Sequence, residues 1–233
     1  MDLAQGSRAK GTVSMMKQEV AKILEEIGIV PVLRVASAKQ AMQAAEAVFA
    51  GGIPVVEITM TVPGAIDLIA QLSKNMGPEI LVGAGTVMDS ETAQRCLDAG
   101  AQFLVSPGFD LETVRLANRV GKLIIAGALT PPEVVNAWKA GSDFVKIFPC
   151  ASVGGAKYIK ALKGPLPNIP MIPTGGVNLD TAAELIEAGA AALGIGGELV
   201  SALALRCGNN GEITETARKF VRIVYETRER MQK

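Results

Sequence analysis

An α/β chain folded as a (β/α)8 TIM barrel with an N-terminal helix is what this sequence predicts, on three observations. Eight short apolar runs alternate with amphipathic segments. Residues near the ends of those runs (Arg34, Glu57, Thr86, Pro107, Gly127, Lys146, Thr174, Gly197) recur at intervals of 19 to 29 positions. The intervening segments repeatedly finish on an Ala-Gly pair, as helices do before a short loop into the next strand. Strands alternating with helices imply a parallel sheet, and eight βα units in about 200 residues close into a barrel. A doubly wound sheet normally has fewer strands and a glycine fingerprint after the first one, and none follows the first run here.

Taken in order, residues 1–12 are polar or small and predict a flexible tail, and Val13–Ile27 shows helical apolar spacing that stops at Gly28. The strand runs are Ile29–Arg34, Pro54–Thr59, Ile80–Thr86, Phe103–Pro107, Leu123–Gly127, Phe144–Phe148, Met171–Thr174 and Ala192–Gly197. Helix starts carry capping residues: Ser37 with Gln40 three later, Asp110 before Leu111, and Thr130-Pro131-Pro132-Glu133. Helix ends fall at Ala50-Gly51, Ala99-Gly100, Ala140-Gly141 and Ala188-Gly189. Asn209-Asn210-Gly211 reads as a turn before a final helix from Ile213 to about Arg230. With no linker-like stretch, residues 1–233 are expected to form a single barrel domain.

Composition narrows the function. The chain has 23 basic and 23 acidic residues and only 4% aromatics, which offers neither a field nor stacking platforms for nucleic acid. No stretch approaches the ~20 apolar residues of a membrane span, and no signal-peptide core is visible. Three scattered cysteines, Cys96, Cys150 and Cys207, are too few for a disulfide framework or zinc cluster. They are expected to be buried small hydrophobes of a cytoplasmic protein. There is no histidine, so a Ser-His-Asp hydrolase and a His-ligated metalloenzyme are excluded, and acid–base work falls to other side chains or to water.

The residue to explain is Lys146, one amine in the apolar run Phe144–Phe148. Alternation puts Phe144, Lys146 and Phe148 on one face. Desolvation between two phenylalanines would favour a neutral amine, the form that attacks a carbonyl to give a Schiff base. In a barrel of this type the active site lies at the C-terminal strand ends. There Glu57, on the face of Val55 and Thr59, would aim a carboxylate into the mouth and serve as the proton shuttle. Thr86 closes the run Gly83-Ala84-Gly85-Thr86 and can offer its hydroxyl to an anion or an intermediate's oxygen. Gly175-Gly176 after strand seven and Gly196-Gly197 after strand eight stand where such barrels bind phosphate, and are expected to present backbone N–H groups at helix N-termini.

Five motifs in order, Glu57-Ile58-Thr59, Gly83-Ala84-Gly85-Thr86, Ser106-Pro107-Gly108, Val145-Lys146-Ile147-Phe148-Pro149 and Pro173-Thr174-Gly175-Gly176, resemble those of the 2-keto-3-deoxy-6-phosphogluconate (KDPG) aldolases. That family includes 4-hydroxy-2-oxoglutarate (KHG) and 2-keto-3-deoxy-6-phosphogalactonate aldolases. The resemblance runs from about Ile23 to Val200. It implies a class I, metal-independent carbon–carbon lyase without a cofactor, which cleaves a small 2-keto acid to pyruvate and an aldehyde such as glyceraldehyde 3-phosphate. It further implies Lys146 as the Schiff-base lysine, Glu57 as general acid/base, and Thr86, Pro107, Phe148 and Thr174 around the pyruvate moiety. Gly175, Gly176, Gly196 and Gly197 would lie near the phosphate, and Arg34 matches an arginine of many members. A homotrimer is the expected assembly. Two positions depart from the pattern: Thr61 stands where some members carry an arginine, and Glu198 where others have a small residue. Glu198 is expected to begin a helix facing the phosphate. The helix after strand six carries Lys157, Lys160 and Lys163, expected to form a solvated face.

Overall fold

In the computed structural model, which describes residues 15–76 and 79–233, all eight apolar runs are strands and every strand pairing is parallel. The strands are β1 (Ile29–Leu33), β2 (Val55–Thr59), β3 (Leu81–Gly85), β4 (Phe103–Val105), β5 (Leu123–Ala128), β6 (Phe144–Ile147), β7 (Met171–Pro173) and β8 (Leu193–Ile195). The order β7-β6-β5-β4-β3-β2-β1-β8 runs round a cylinder, and a single bridge, Thr174 to Gly194, joins β7 to β8. The protein is therefore a (β/α)8 barrel. The tail expected at residues 1–12 lies outside the described residues.

The N-terminal helix α1 (Lys17–Ile27) stands outside the repeat and covers the N-terminal side of the strands. Its Lys17 binds Asn118 at 2.7 Å and Asp143 at 2.9 Å, while Asp143 also accepts from the Ile124 amide. The start expected at Val13 lies outside the described residues; within them the helix begins at Lys17 after extended Met16, and Gly28 in the left-handed region ends it. The outer ring follows as α2 (Ala38–Ala50), α3 (Ala65–Asn75), α4 (Ser90–Asp98), α5 (Leu111–Arg119), α6 (Pro131–Lys139), α7 (Ala156–Lys163), α8 (Ala182–Glu187), the short α9 (Ala202–Arg206) and α10 (Asn210–Met231).

The expected caps form. The Ser37 hydroxyl accepts from the Gln40 amide, Asp110 from Thr113, and Glu133 reaches back to the Thr130 amide. Asp89, not singled out in the sequence, caps α4 in the same way. Gly100, Gly141 and Gly189 take the left-handed conformation after their helices. At Ala50-Gly51-Gly52 the left-handed residue is Gly52, and Gly51 is helical for another reason. A Cβ on Gly51 would lie 2.4 Å from the Ala217 Cβ, so its bareness lets α10 press onto α2. Between α2 and α8, α10 completes the ring.

Three further expectations are corrected. Asn209-Asn210-Gly211 is not a turn before the last helix, because α10 already starts at Asn210 and Gly211 lies within it. Cys207 is exposed, whereas Cys96 and Cys150 are buried and their thiols are pushed up to about 11 by burial. Lys157 and Lys160 are exposed, but half-buried Lys163 donates to the carbonyls of Pro167 and Ile169 beyond the end of α7. Among the described residues, no helix is long and apolar enough to cross a membrane.

Candidate active site

The barrel brings Glu57 and Lys146 together from strands on opposite sides of the cylinder. Alternation turns Glu57 inward from β2 and Lys146 inward from β6, and both are almost fully buried, at 1% and 3% exposure. The Lys146 nitrogen Nζ lies 4.0 Å from Glu57 Oε1, within ion-pair distance but too far for a hydrogen bond. Glu57 Oε1 is shielded from solvent and has no hydrogen-bond partner. A buried carboxylate oxygen left so is costly in a resting protein, and an oxygen of a bound molecule can lie between it and the amine. Burial holds the Glu57 carboxyl above its ordinary range, and the charges of Lys146 and Arg34 only partly oppose this.

Phe148 supplies the apolar wall expected around the amine, its ring centroid 5.5 Å from Lys146 Nζ. The same ring lies 6.0 Å below the Arg34 guanidinium, at the limit of a cation–π contact. Arg34, just past β1, is exposed and makes no ion pair with a described residue.

Glycines in the strands make room for these groups. A Cβ on Gly85 would fall 1.9 Å from Glu57 Oε1, and one on Gly194 would fall 2.1 Å from Thr174 Oγ1. One on Gly127 would meet the Pro107 backbone at 2.2 Å. The role of Gly85 was not apparent in the sequence. The available signal is a glycine inside a strand, which marks close approach of a neighbour.

Thr86 follows β3 with φ +56°, the one non-glycine residue among those described with positive φ. For a β-branched residue this is a strained backbone, of the kind that persists where the surrounding structure dictates it. It ends the strand at Gly85, one residue before the expected boundary, and leaves Thr86 half-buried at the mouth. At the end of β2, Thr59 donates its hydroxyl to the Leu33 carbonyl at 3.0 Å and lies 2.7 Å from the Thr61 hydroxyl. With the Thr59 proton committed, Thr61 must be the donor in that second bond. The Thr61 hydroxyl therefore presents acceptor lone pairs outward.

The remaining expected residues gather beside this pair. Arg34, Phe148, Thr174, Gly175, Gly176, Gly196 and Gly197 line one cavity of about 250 Å³, together with Val32, Val177, Gly194 and Glu198. Pro107 and Thr86 are not among its lining residues; they stand across the mouth, on the loops after β4 and β3. Gly175 and Gly176 have φ of +90° and +77° and form a turn rather than a helix N-terminus, since α8 begins only at Ala182. Gly196-Gly197 likewise opens a turn, closed by Leu199 and Val200 amides on the Gly196 carbonyl. Glu198 sits in that turn, exposed, and the helix it was expected to begin starts at Ala202. Buried Leu199 and Val200 occupy the positions that would have continued it. Among the described residues, no group of three or more Cys, Asp or Glu side chains is arranged to hold a metal ion.

A family model described as "Aldolase: KDPG and KHG aldolase" matches residues 20–216. A 2-dehydro-3-deoxy-phosphogluconate aldolase of Treponema pallidum is 35% identical over 167 residues, covering 72% of this chain and 79% of that protein. A KDPG aldolase from Legionella pneumophila, solved with pyruvate captured as a covalent carbinolamine intermediate, superposes with a TM-score of 0.79 at 31% identity, covering 85% of this chain and 96% of that one. A cube-shaped protein cage designed by fusing symmetric oligomeric domains superposes with a TM-score of 0.81 at 30% identity, covering 88% of this chain and 75% of that one.

Proposed function

The chain belongs to the KDPG and KHG aldolase family, and from that premise we propose that it cleaves 2-keto-3-deoxy-6-phosphogluconate to pyruvate and glyceraldehyde 3-phosphate, with Lys146 as the nucleophile. It is a class I aldolase. The observation that supports the roles is the buried pair at 4.0 Å, with one carboxylate oxygen left without a partner.

The steps follow from what each group can do. The Lys146 amine adds to the C2 carbonyl, and loss of water from the carbinolamine gives an iminium, which stores the electrons of the bond to be broken. Glu57, directly or through one water, takes the proton of the C4 hydroxyl. The C3–C4 bond then breaks, the aldehyde leaves, and the electron pair collapses into the iminium to give an enamine. Protonation at C3 and hydrolysis return pyruvate and the free amine. The pKa of Glu57, raised by burial, suits a group that must both accept and return a proton. Phe148 screens the amine on one side, and Thr86 and Thr174 offer hydroxyls near the keto acid. The backbone of Gly175, Gly176, Gly196 and Gly197, with Arg34, receives the far end of the substrate. No metal enters this scheme, since the iminium supplies the electron sink.

A second substrate, 4-hydroxy-2-oxoglutarate, uses the same chemistry with a shorter tail that ends in one carboxylate instead of a phosphate dianion, so the like charge of Glu198 at the tail cavity opposes it less. We further propose a cytoplasmic homotrimer, in keeping with the family and with the oligomeric domains of the cage protein. Borohydride reduction in the presence of pyruvate tests the central assignment. Mass spectrometry should find the reduced adduct on Lys146, and Lys146→Met should take up none. An adduct on Lys157, Lys160 or Lys163 would overturn the assignment.

A further inference from the structure

The cavity beside the catalytic pair has the glycine-rich turns that suit an anion, yet two opposite charges line it. Arg34 comes from the end of β1 and Glu198 from the turn after β8. Neither makes a hydrogen bond or ion pair with another described residue. The backbone beneath Glu198 is held on both sides: Gly196 accepts from two amides at 3.0 Å, and Leu199 and Val200 are buried at 1% and 6% exposure. Its carboxylate thus has a fixed base at the rim and no intramolecular use.

We propose that Glu198 is a specificity-determining residue, one that lowers the enzyme's preference for a phosphorylated tail and supports tails that end in hydroxyl groups. This rests on the aldolase reading above and concerns only the far end of the substrate. A phosphate dianion gains from Arg34 and the turn amides but meets a like charge at Glu198. A hydroxylated tail can donate to Glu198 and accept from Arg34, so the two charges together match a neutral polar group better than a dianion. Across a cavity of this size, on the order of 6 Å, a unit charge in a water-like dielectric is disfavoured about threefold, and a dianion about tenfold before salt screening.

The test compares the parent enzyme with Glu198→Gln, which removes the charge and keeps the shape. KM and kcat are measured on the 6-phosphorylated 2-keto-3-deoxy acid and on its unphosphorylated counterpart, and inorganic phosphate serves as a competing probe. The expected result is a three- to tenfold fall in KM for the phosphorylated substrate, with no fall for the unphosphorylated one, and a matching gain in inhibition by phosphate. An unchanged KM for the phosphorylated substrate, or an equal fall for both, overturns the proposal. Pyruvate and borohydride applied to the parent enzyme separate the two readings. An adduct on Lys146 with no change in selectivity removes only the role of Glu198, whereas no adduct removes the aldolase chemistry beneath it.

Discussion

Replacing Gly85 by alanine should damage catalysis without replacing an ionisable group. The added Cβ would fall 1.9 Å from Glu57 Oε1, 2.5 Å from its Cδ and 2.6 Å from its Cγ. Ordinary contact begins near 3.4 Å, so the carboxylate must withdraw by roughly 1.5 Å. Glu57 is 1% exposed and its strand is hydrogen-bonded on both edges, so neither the side chain nor β2 can yield freely. Overpacking of this kind costs about 1–3 kcal/mol of stability, and a catalytic group displaced by an ångström loses about 10²-fold in rate. Steady-state cleavage should therefore drop about a hundredfold. Borohydride trapping of pyruvate on Lys146, across the barrel, should persist. Gly164→Ala is the control, because its Cβ would meet only the Ala161 carbonyl, at 3.5 Å. A Gly85→Ala enzyme with the parent's kcat would refute the idea that the placement of Glu57 limits the reaction.

Glu57→Gln should lower the rate by about 10²–10⁴, the usual worth of a positioned proton-transfer group. The base must be ionised to accept the C4 hydroxyl proton, so activity is lost as pH falls through its folded pKa. Because that pKa is raised by burial, the acid limb of the parent's kcat profile should lie above the ordinary carboxylate range, and the variant should lack it. Thr86→Gly removes a β-branched side chain from φ +56° and should raise stability in thermal denaturation by about 0.5–1 kcal/mol. The same change deletes a hydroxyl at the mouth, so KM for the keto acid should rise several-fold; a variant less stable than the parent would show that the left-handed turn carries no strain.

The barrel was legible because a parallel strand buried on both faces reads as a short apolar run, and because Gly28, Gly100, Gly141 and Gly189 stop their helices in the only conformation that favours glycine. Lys146 and Glu57 stood out for a related reason, as charges in runs that otherwise exclude charge. What the sequence hid was contact across strands. That Gly85 serves Glu57 and Gly194 serves Thr174 depends on register between β2 and β3 and on the seam between β7 and β8, which no local spacing encodes. Glu198 was misplaced because Gly-Gly before an acidic residue also describes a helix start. Here the burial of Leu199 and Val200 decides otherwise. Thr61 was read as a departure from a pattern, and its bond to Thr59 appears only once the end of β2 lies beside the Leu33 carbonyl.

The cylinder is joined at seven of its eight seams by ladders of two or more residue pairs, and at the eighth by one bridge, Thr174 to Gly194. Both residues of that bridge line the tail cavity. The joint with the fewest paired residues in the hoop thus lies at the cavity proposed above for the far end of the substrate. On that proposal, a ligand that spans the turns after β7 and β8 would act as a clasp across it, with only β7 between the seam and the strand that carries Lys146. Molecules that stop short of the clasp would leave that seam with its single bridge.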